Sequence, residues 1–242
     1  MKTPLFNRLD SDKSFQGQLW PFFLPYALYV SIGSLPDAWM RPETNQLIKL
    51  LVVGSVMVFY SRRYQPGRFS GRDLGISLPG ALVALLLWVA PLLLISGAKA
   101  PVEGGGAAQW SAVYVVLRGI NSVLLVAVFE ELFLRVYLTQ WVYQASRRND
   151  QKNRLDAFLD TWSQKPMALP RLPLNRISVT ATTILFAAGH GMQEWVSAIF
   201  YFLWTSYLYH KTQSLWVCIL VHALTNLGVL LLVRFGGMTF LW

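Results

Sequence analysis

Three short groups of residues, each set in an apolar stretch, carry side chains able to do chemistry. The first is Glu130-Glu131-Leu132-Phe133-Leu134-Arg135, embedded between VLLVAVF and VYLTQWV. An ionised side chain inside a bilayer costs about 2.5–3.5 kcal/mol even on the lenient insertion scale, so such a cluster needs a reason to exist. On a helix, Glu131 and Arg135 stand four residues apart and meet on one face. Glu130 is rotated by about 100° from Glu131 and need not face the same partner. The simplest division is a structural ion pair between Glu131 and Arg135, with Glu130 free to face something else. In the alternative, both acids only pair with Arg135 and Arg118 to hold helices together. Buried ion pairs rarely offset their own desolvation, which weakens that alternative.

The second group is Phe186-Ala187-Ala188-Gly189-His190, where Phe186 and His190 share a helix face and the small residues between them permit close approach. The third is His222-Ala223-Leu224-Thr225-Asn226, inside LWVCILVHALTNLGVLLLV. His222 and Asn226 again share a face, and each can offer a hydrogen bond. Taken singly, the second and third groups read as interhelical polar contacts. Together the three groups supply one unpaired carboxylate, two imidazoles and a carboxamide from three separate helices. That set suits hydrolysis. A buried glutamate can take a proton from water, a histidine can orient that water, and a second His with an Asn can donate to a tetrahedral oxyanion. Zinc held by Glu, His and His is the competing chemistry, but no H-E-x-x-H helix is present to strengthen it. Proton-coupled transport also uses intramembrane ionisable residues, yet no inverted pair of interrupted helices is visible. His210, in YHKTQS, reads as a surface residue, and Trp204, Tyr207 and Tyr209 around it read as interfacial anchors.

The elements that must position these groups are membrane helices. A span needs roughly 20 mainly apolar residues. The first candidate covers 20–35, with two prolines that neighbouring helices must repair. The second covers 47–61 and is short; tilt, snorkelling of Lys49 or local thinning reconciles it with the bilayer. The third, 76–96, is the clearest, and a Gly-rich loop at 102–109 follows it. From 111 to 146 the chain is helix-compatible but too long for one straight crossing, so it is either tilted or broken near the acidic pair. Residues 147–176 are hydrophilic and basic. Within them, 155–162 is a short amphipathic helix, read as a loop helix in preference to a membrane-surface one. Three more apolar segments, 177–189, 194–209 and 214–233, complete the chain. The expectation is an all-α polytopic bundle of about seven membrane helices (six to eight), a single membrane domain over 1–242 whose catalytic half is about 111–234.

Composition agrees with that expectation. Only 14% of the 242 residues are charged, against about 25% in soluble domains. The net charge of +9 falls mostly in the gaps between apolar runs, where topology explains it and nucleic acid is not needed. Basic connections at 62–72 and 147–176 then face the cytoplasm. This puts the N-terminus inside and the C-terminus outside, although Arg41 and Arg234 fit less well. Residues 2–19 lack the compact apolar run of a cleavable signal. Cys218 is the sole cysteine, which excludes an intrachain disulfide and a C-x-x-C site.

EELFLR resembles the E-E-x-x-x-R motif of the CAAX-protease and bacteriocin-processing (Abi) family of glutamate-type intramembrane proteases. FAAGH is similar to its F-x-x-x-H motif and HALTN to its H-x-x-x-N motif, in the same order, the likeness covering roughly 115–232. The resemblance implies an intramembrane endopeptidase in which Glu130 activates water with help from His190. His222 and Asn226 would be the oxyanion donors, Glu131 and Arg135 would support the catalytic helix, and Phe186 would pack the site. It implies no cofactor if the metal-free account of the family holds, and zinc if the other does. The metal-free account gives Glu130 and the His222/Asn226 pair separate duties. The implied partners are the lipid bilayer and a membrane-associated or lipid-linked protein or peptide, and the implied place is a bacterial cell membrane. The non-catalytic alternative is a membrane scaffold or immunity protein that keeps the cluster for folding.

Overall fold

Ser14, Ser111, Asn153 and Asn175 each accept, through the side chain, the backbone amide three residues on, at 3.2, 3.1, 2.9 and 2.8 Å. Such caps satisfy donors that the first turn of a helix leaves orphaned. In a computed structural model describing residues 13–64, 67–96, 110–148, 153–167 and 174–241, they open four of eight helices. The eight are α1 (Phe15–Gly33), α2 (Pro42–Phe59), α3 (Gly71–Ser96), α4 (Ala112–Ser146), α5 (Arg154–Trp162), α6 (Arg176–Ala188), α7 (Trp195–Thr212) and α8 (Leu215–Gly236). Among the described residues there is no strand. The all-α architecture expected from the sequence is therefore present. The Gly-rich loop at 102–109, most of the N-terminal segment at 2–19 and part of the basic connection at 147–176 lie outside the described residues.

Three helices are long and apolar enough to cross a membrane: Gly71–Ile95, Ala112–Ser146 and Leu215–Gly236. The apolar α6 has 13 residues; at about 1.5 Å per residue it spans roughly 20 Å, short of a hydrocarbon core of about 30 Å. It stops where Gly189, His190 and Gly191 interrupt the helical pattern.

Between the two readings of 111–146, the structure has one continuous helix. It is not uniform: turns of wider π type occupy Asn121–Val126 and Leu132–Leu138, on either side of the short α-helical piece Ala127–Glu131 that carries the acidic pair. Wide turns of this kind recur at functional sites because they re-aim side chains without breaking the helix. Thr139 takes up one carbonyl at the end of the second, donating to Leu134 O at 2.7 Å.

The helices pack around the middle of α4. α8 lies along α3 and against the centre of α4; α7 packs on α3 and α6; α1 packs on α2; and α5 and α6 cover the C-terminal third of α4. Polar ties cross these contacts. Pro25 has no N–H to give the carbonyl of Pro21, and Tyr64 Oη supplies the missing donor at 2.5 Å. Asn121 Nδ2 donates to both the carbonyl and the side-chain oxygen of Gln46 at 2.8 Å, joining α4 to α2. Ser197 Oγ donates to Trp88 O at 2.6 Å, joining α7 to α3. α5 is a docked element: Ala157 and Thr161 are buried, and Trp162 Nε1 donates to Tyr137 Oη at 3.1 Å.

Two expectations need correction here. Tyr209 is no interfacial anchor. It is fully buried, because its face of α7 turns toward α4 and α8, where its ring lies 6.0 Å from the Arg135 guanidinium and packs with Cys218. Tyr207 is half exposed and stacks on Trp204, while His210 is exposed. Lys49 does not snorkel outward: it is 8% exposed, with its ammonium 4.6 Å from the centre of the Tyr29 ring.

Candidate functional site

Glu131 projects from α4 into the packed centre, where it is 2% exposed. Its Oε2 accepts from Arg135 Nε, one turn later on the same face. The guanidinium goes on to donate to Ser206 Oγ at 3.1 Å and to Thr205 Oγ1, both on α7, and lies over the Phe202 ring at 4.6 Å. The fixed fork of an arginine suits this three-way anchoring better than a lysine would. The other carboxylate oxygen, Oε1, faces His222 Nδ1 of α8 at 3.3 Å. Glu131, Arg135, Thr205, Ser206 and His222 thus tie α4, α7 and α8 together in a buried polar knot.

Glu130 points elsewhere. Its Oε2 is buried and accepts no hydrogen bond from the described residues, and His222 Nε2 stands 3.9 Å from it. His222 therefore lies between the two carboxylates, with one nitrogen toward each. Its ring makes an edge contact with Tyr201 at 5.5 Å, and the Tyr201 hydroxyl is buried with no partner among the described residues.

His190 follows the end of α6. Its Nδ1 lies 2.7 Å from Phe186 O, a carbonyl that can only accept, so Nδ1 carries the proton and Nε2 is left with a free lone pair in the neutral ring. The ring sits 4.6 Å from Phe186 and 5.3 Å from Trp88, centre to centre. Gly189 stands close to α1: a Cβ there would come within 2.8 Å of Tyr26 Oη, and the tyrosine would have to shift. Asn226 Nδ2 donates to Ser122 O of α4 at 2.7 Å, which leaves the second N–H of the amide uncommitted by that bond.

Two cavities meet at these residues. A polar one of about 360 Å³ is lined by Glu130, His190, His222 and Asn226, and also by Tyr29, Lys49, Trp88, Arg118, Ser122 and Tyr201. An apolar one of about 320 Å³ is lined by Phe23, Tyr26, Phe133, Leu134, Leu138 and Leu185. Glu130, Phe186 and His190 line both. Among the described residues no group of three or more His, Cys, Asp or Glu side chains could hold a metal ion.

Residues 110–228 match the family model of type II CAAX prenyl endopeptidases of the Rce1-like kind. That segment belongs to the Rce1-like family. No curated protein and no solved structure matches the chain. Three bilayer-long apolar helices and this family of membrane proteases make the chain an integral membrane protein. The Rce1-like segment contains all seven residues singled out from the sequence, whereas α1, α2 and α3 lie before it. The fold brings Glu130, His190, His222 and Asn226 to one cavity, and it places Phe186 at the wall of the same cavity.

Sequence reasoning missed the residues that surround the Rce1-like motifs. Thr205 and Ser206 hold Arg135, and their signal was two adjacent hydroxyls within the apolar run FLWTSYL. Lys49 and Trp88 reach the cavity from α2 and α3, outside the matched segment, so no motif could have pointed to them. Ser122 acts through its backbone carbonyl, which leaves no trace in the residue type.

Proposed function

We propose that the protein is an endopeptidase that hydrolyses peptide bonds of membrane-associated or lipid-linked peptides from within the bilayer, with Glu130 as the general base. The observation that carries this reading is a buried Glu130 oxygen with no hydrogen-bond partner among the described residues, on a side chain that lines a polar and an apolar cavity together with His190 just past the end of α6, and with His222 of α8 beside it. A carboxylate kept for structure alone would be saturated, as Glu131 is; an unsaturated one is costly unless a ligand or water completes it.

In the proposed sequence, a water in the polar cavity gives a proton to Glu130 while the free Nε2 of His190 orients it. The water oxygen adds to the peptide carbonyl, and the carbonyl π electrons move onto oxygen. That oxyanion is met by the second N–H of Asn226 and by His222. His222 turns its Nε2 to this side, 3.9 Å from Glu130 Oε2, and keeps Nδ1 toward Glu131. Collapse of the intermediate breaks the C–N bond, and Glu130 passes its proton to the leaving amine. Arg135, Thr205 and Ser206 fix Glu131 and through it the tilt of His222. No metal takes part in this account. The apolar cavity accepts an apolar portion of the substrate arriving from the lipid, and the orientation proposed has the N-terminus in the cytoplasm of a bacterial cell.

The test compares wild type with Glu130→Gln, both purified in detergent and incubated with membrane peptides of the host, by mass spectrometry. A fragment made only by the wild type is the expected result and would identify the cut site. Equal fragment patterns from two folded proteins would sink the protease reading and favour a scaffold.

A further inference from the structure

Leu241 lies beyond the last of the eight helices, yet it is 4% exposed and lines the polar cavity together with Glu130, His190, His222 and Asn226. On α8, His222, Asn226, Val229 and Val233 follow at steps of three and four residues and so share one face. The chain returns to that face by reversing after Gly236. Gly237 makes the reversal at φ 68°, a left-handed conformation that favours glycine, and Met238 N donates back to Leu232 O at 3.2 Å. A single 3₁₀ turn, Thr239–Leu241, then carries Leu241 into a buried apolar cluster with Val229 and Val233 of α8 and Val89 and Leu92 of α3. Val229 also lines the cavity, three residues past Asn226, so Leu241 forms the wall at that end. The wall is lightly held. Among the described residues, the backbone hydrogen bonds of Met238, Thr239 and Leu241 run to α8 or stay within the segment, and apolar packing alone seats it against α3. Segments held in this way open locally at little cost. An apolar group that entered the cavity and took the place of Leu241 would keep the same four side chains covered.

We propose that Leu241 is a specificity-determining residue: a movable plug that sets how large a substrate side chain the polar cavity takes past Asn226. The inference rests on the protease reading, which puts a peptide bond over Glu130 and a flanking residue in this cavity. A small residue fits with the plug seated. A bulky one must displace Leu241 and lift residues 238–241 on the turn at Gly237, and that displacement counts against it. Leu241 and the four side chains it packs with all lie outside the matched residues 110–228, so this preference is not carried by the family motifs.

The plug is read first without substrate. Val229→Cys puts a thiol in the cavity beside Leu241, and its labelling by N-ethylmaleimide and by the bulkier fluorescein maleimide is timed in detergent. Cys218, fully buried, stays silent while the fold holds and so reports any loosening. With Leu241 in place the bulky reagent should lag well behind the small one. Adding Leu241→Ala should speed the bulky reagent by about tenfold, and removing residues 238–242 should do the same. Leu241→Met, which keeps the volume, should change little, and Leu241→Trp should slow both reagents, so the plug remains testable if the alanine variant loosens the fold. Bulky labelling that ignores Leu241→Ala and the removal of 238–242, with Cys218 still silent, would overturn the plug. The specificity role is then read on the peptide that wild type cuts and E130Q does not, remade with alanine or tryptophan at each residue flanking the cut. At one of those positions L241A should raise kcat/KM for tryptophan relative to alanine by about tenfold or more, since a single methylene of pocket space is worth about 10–200-fold. Unchanged ratios at every position would overturn the specificity role. A wild type that cuts nothing would defeat the protease reading instead, and the labelling rates would still decide whether Leu241 closes the cavity.

Discussion

Glu130 and Glu131 are neighbours in sequence, yet they lie in opposite surroundings. On the Glu131 side the ionised groups are engaged: Arg135 bridges a carboxylate and two hydroxyls under an aromatic ring, and His222 faces the remaining oxygen. On the Glu130 side, a carboxylate oxygen and the Tyr201 hydroxyl are buried around a cavity with no hydrogen-bond partner among the described residues. The wide turns on either side of the pair let one short piece of helix serve both. Saturation makes the first region a joint between helices; incompleteness makes the second a place where a substrate can supply what is missing.

The largest expected effect breaks the open side. Glu130→Gln keeps shape and removes the base, so turnover should fall by about 10²–10⁴. Thermal stability in detergent should hold or rise, because the buried Glu130 Oε2 accepts no hydrogen bond among the described residues that the change would break. A parallel loss of stability would mean that Glu130 belongs to the joint after all. Arg135→Ala attacks the saturated side. It strands Glu131 in the interior and should cost about 3–5 kcal/mol, read as a large drop in the unfolding midpoint and in folded yield. Near-normal stability of R135A would refute the division of labour between the two acids.

Asn226→Ala tests the boundary between the two regions, since its amide both ties α8 to α4 and faces the cavity. Loss of one oxyanion donor should lower kcat by about 10²–10³ with KM little changed. Loss of the tie to Ser122 O should cost only about 1 kcal/mol of stability. If kcat were untouched and stability alone fell, Asn226 would be part of the joint.

How much of this was legible in the sequence depended on charge. Glu130, Glu131 and Arg135 stood out because ionised groups in an apolar run demand an explanation, and the helical spacing of Glu131 with Arg135, or His222 with Asn226, located the shared faces. Lys49 was ionised too, but a lone lysine near the start of an apolar run is equally well explained by snorkelling, and only the fold shows it turned inward against Gly33 and Tyr29. Tyr209 misled in the opposite sense: an aromatic at the end of an apolar helix fits an interface, and its burial is decided by the neighbours of α7. The π turns of α4 were invisible because a slip in hydrogen-bond register changes no residue type. Three membrane-length helices are evident by composition, while α1, α2 and α7 carry too many aromatics, prolines and polar residues for hydropathy alone to rank them with those three.

The smallest expected effect is the most discriminating for the comparison. Thr205 is a neutral residue of α7, remote in sequence from every motif, and it enters the site only by accepting from Arg135. It is fully buried, and its own hydroxyl reaches Tyr201 O at 3.1 Å, so Thr205→Val exchanges a hydroxyl for a methyl group in a closed space. The guanidinium loses one acceptor and keeps Glu131 and Ser206. Stability should therefore fall by about 1.5–3 kcal/mol, the range for a hydrogen bond to a charged group. Because Glu131 stays paired, His222 keeps its anchor, and kcat measured well below the new unfolding midpoint should stay within about threefold of wild type, less than the tenfold that 1.4 kcal/mol of barrier would give. Should kcat fall far more than that while the fold holds, the saturated knot does more than join helices: its hydrogen bonds would be tuning the imidazole of His222, and the two sides of α4 would form one working unit.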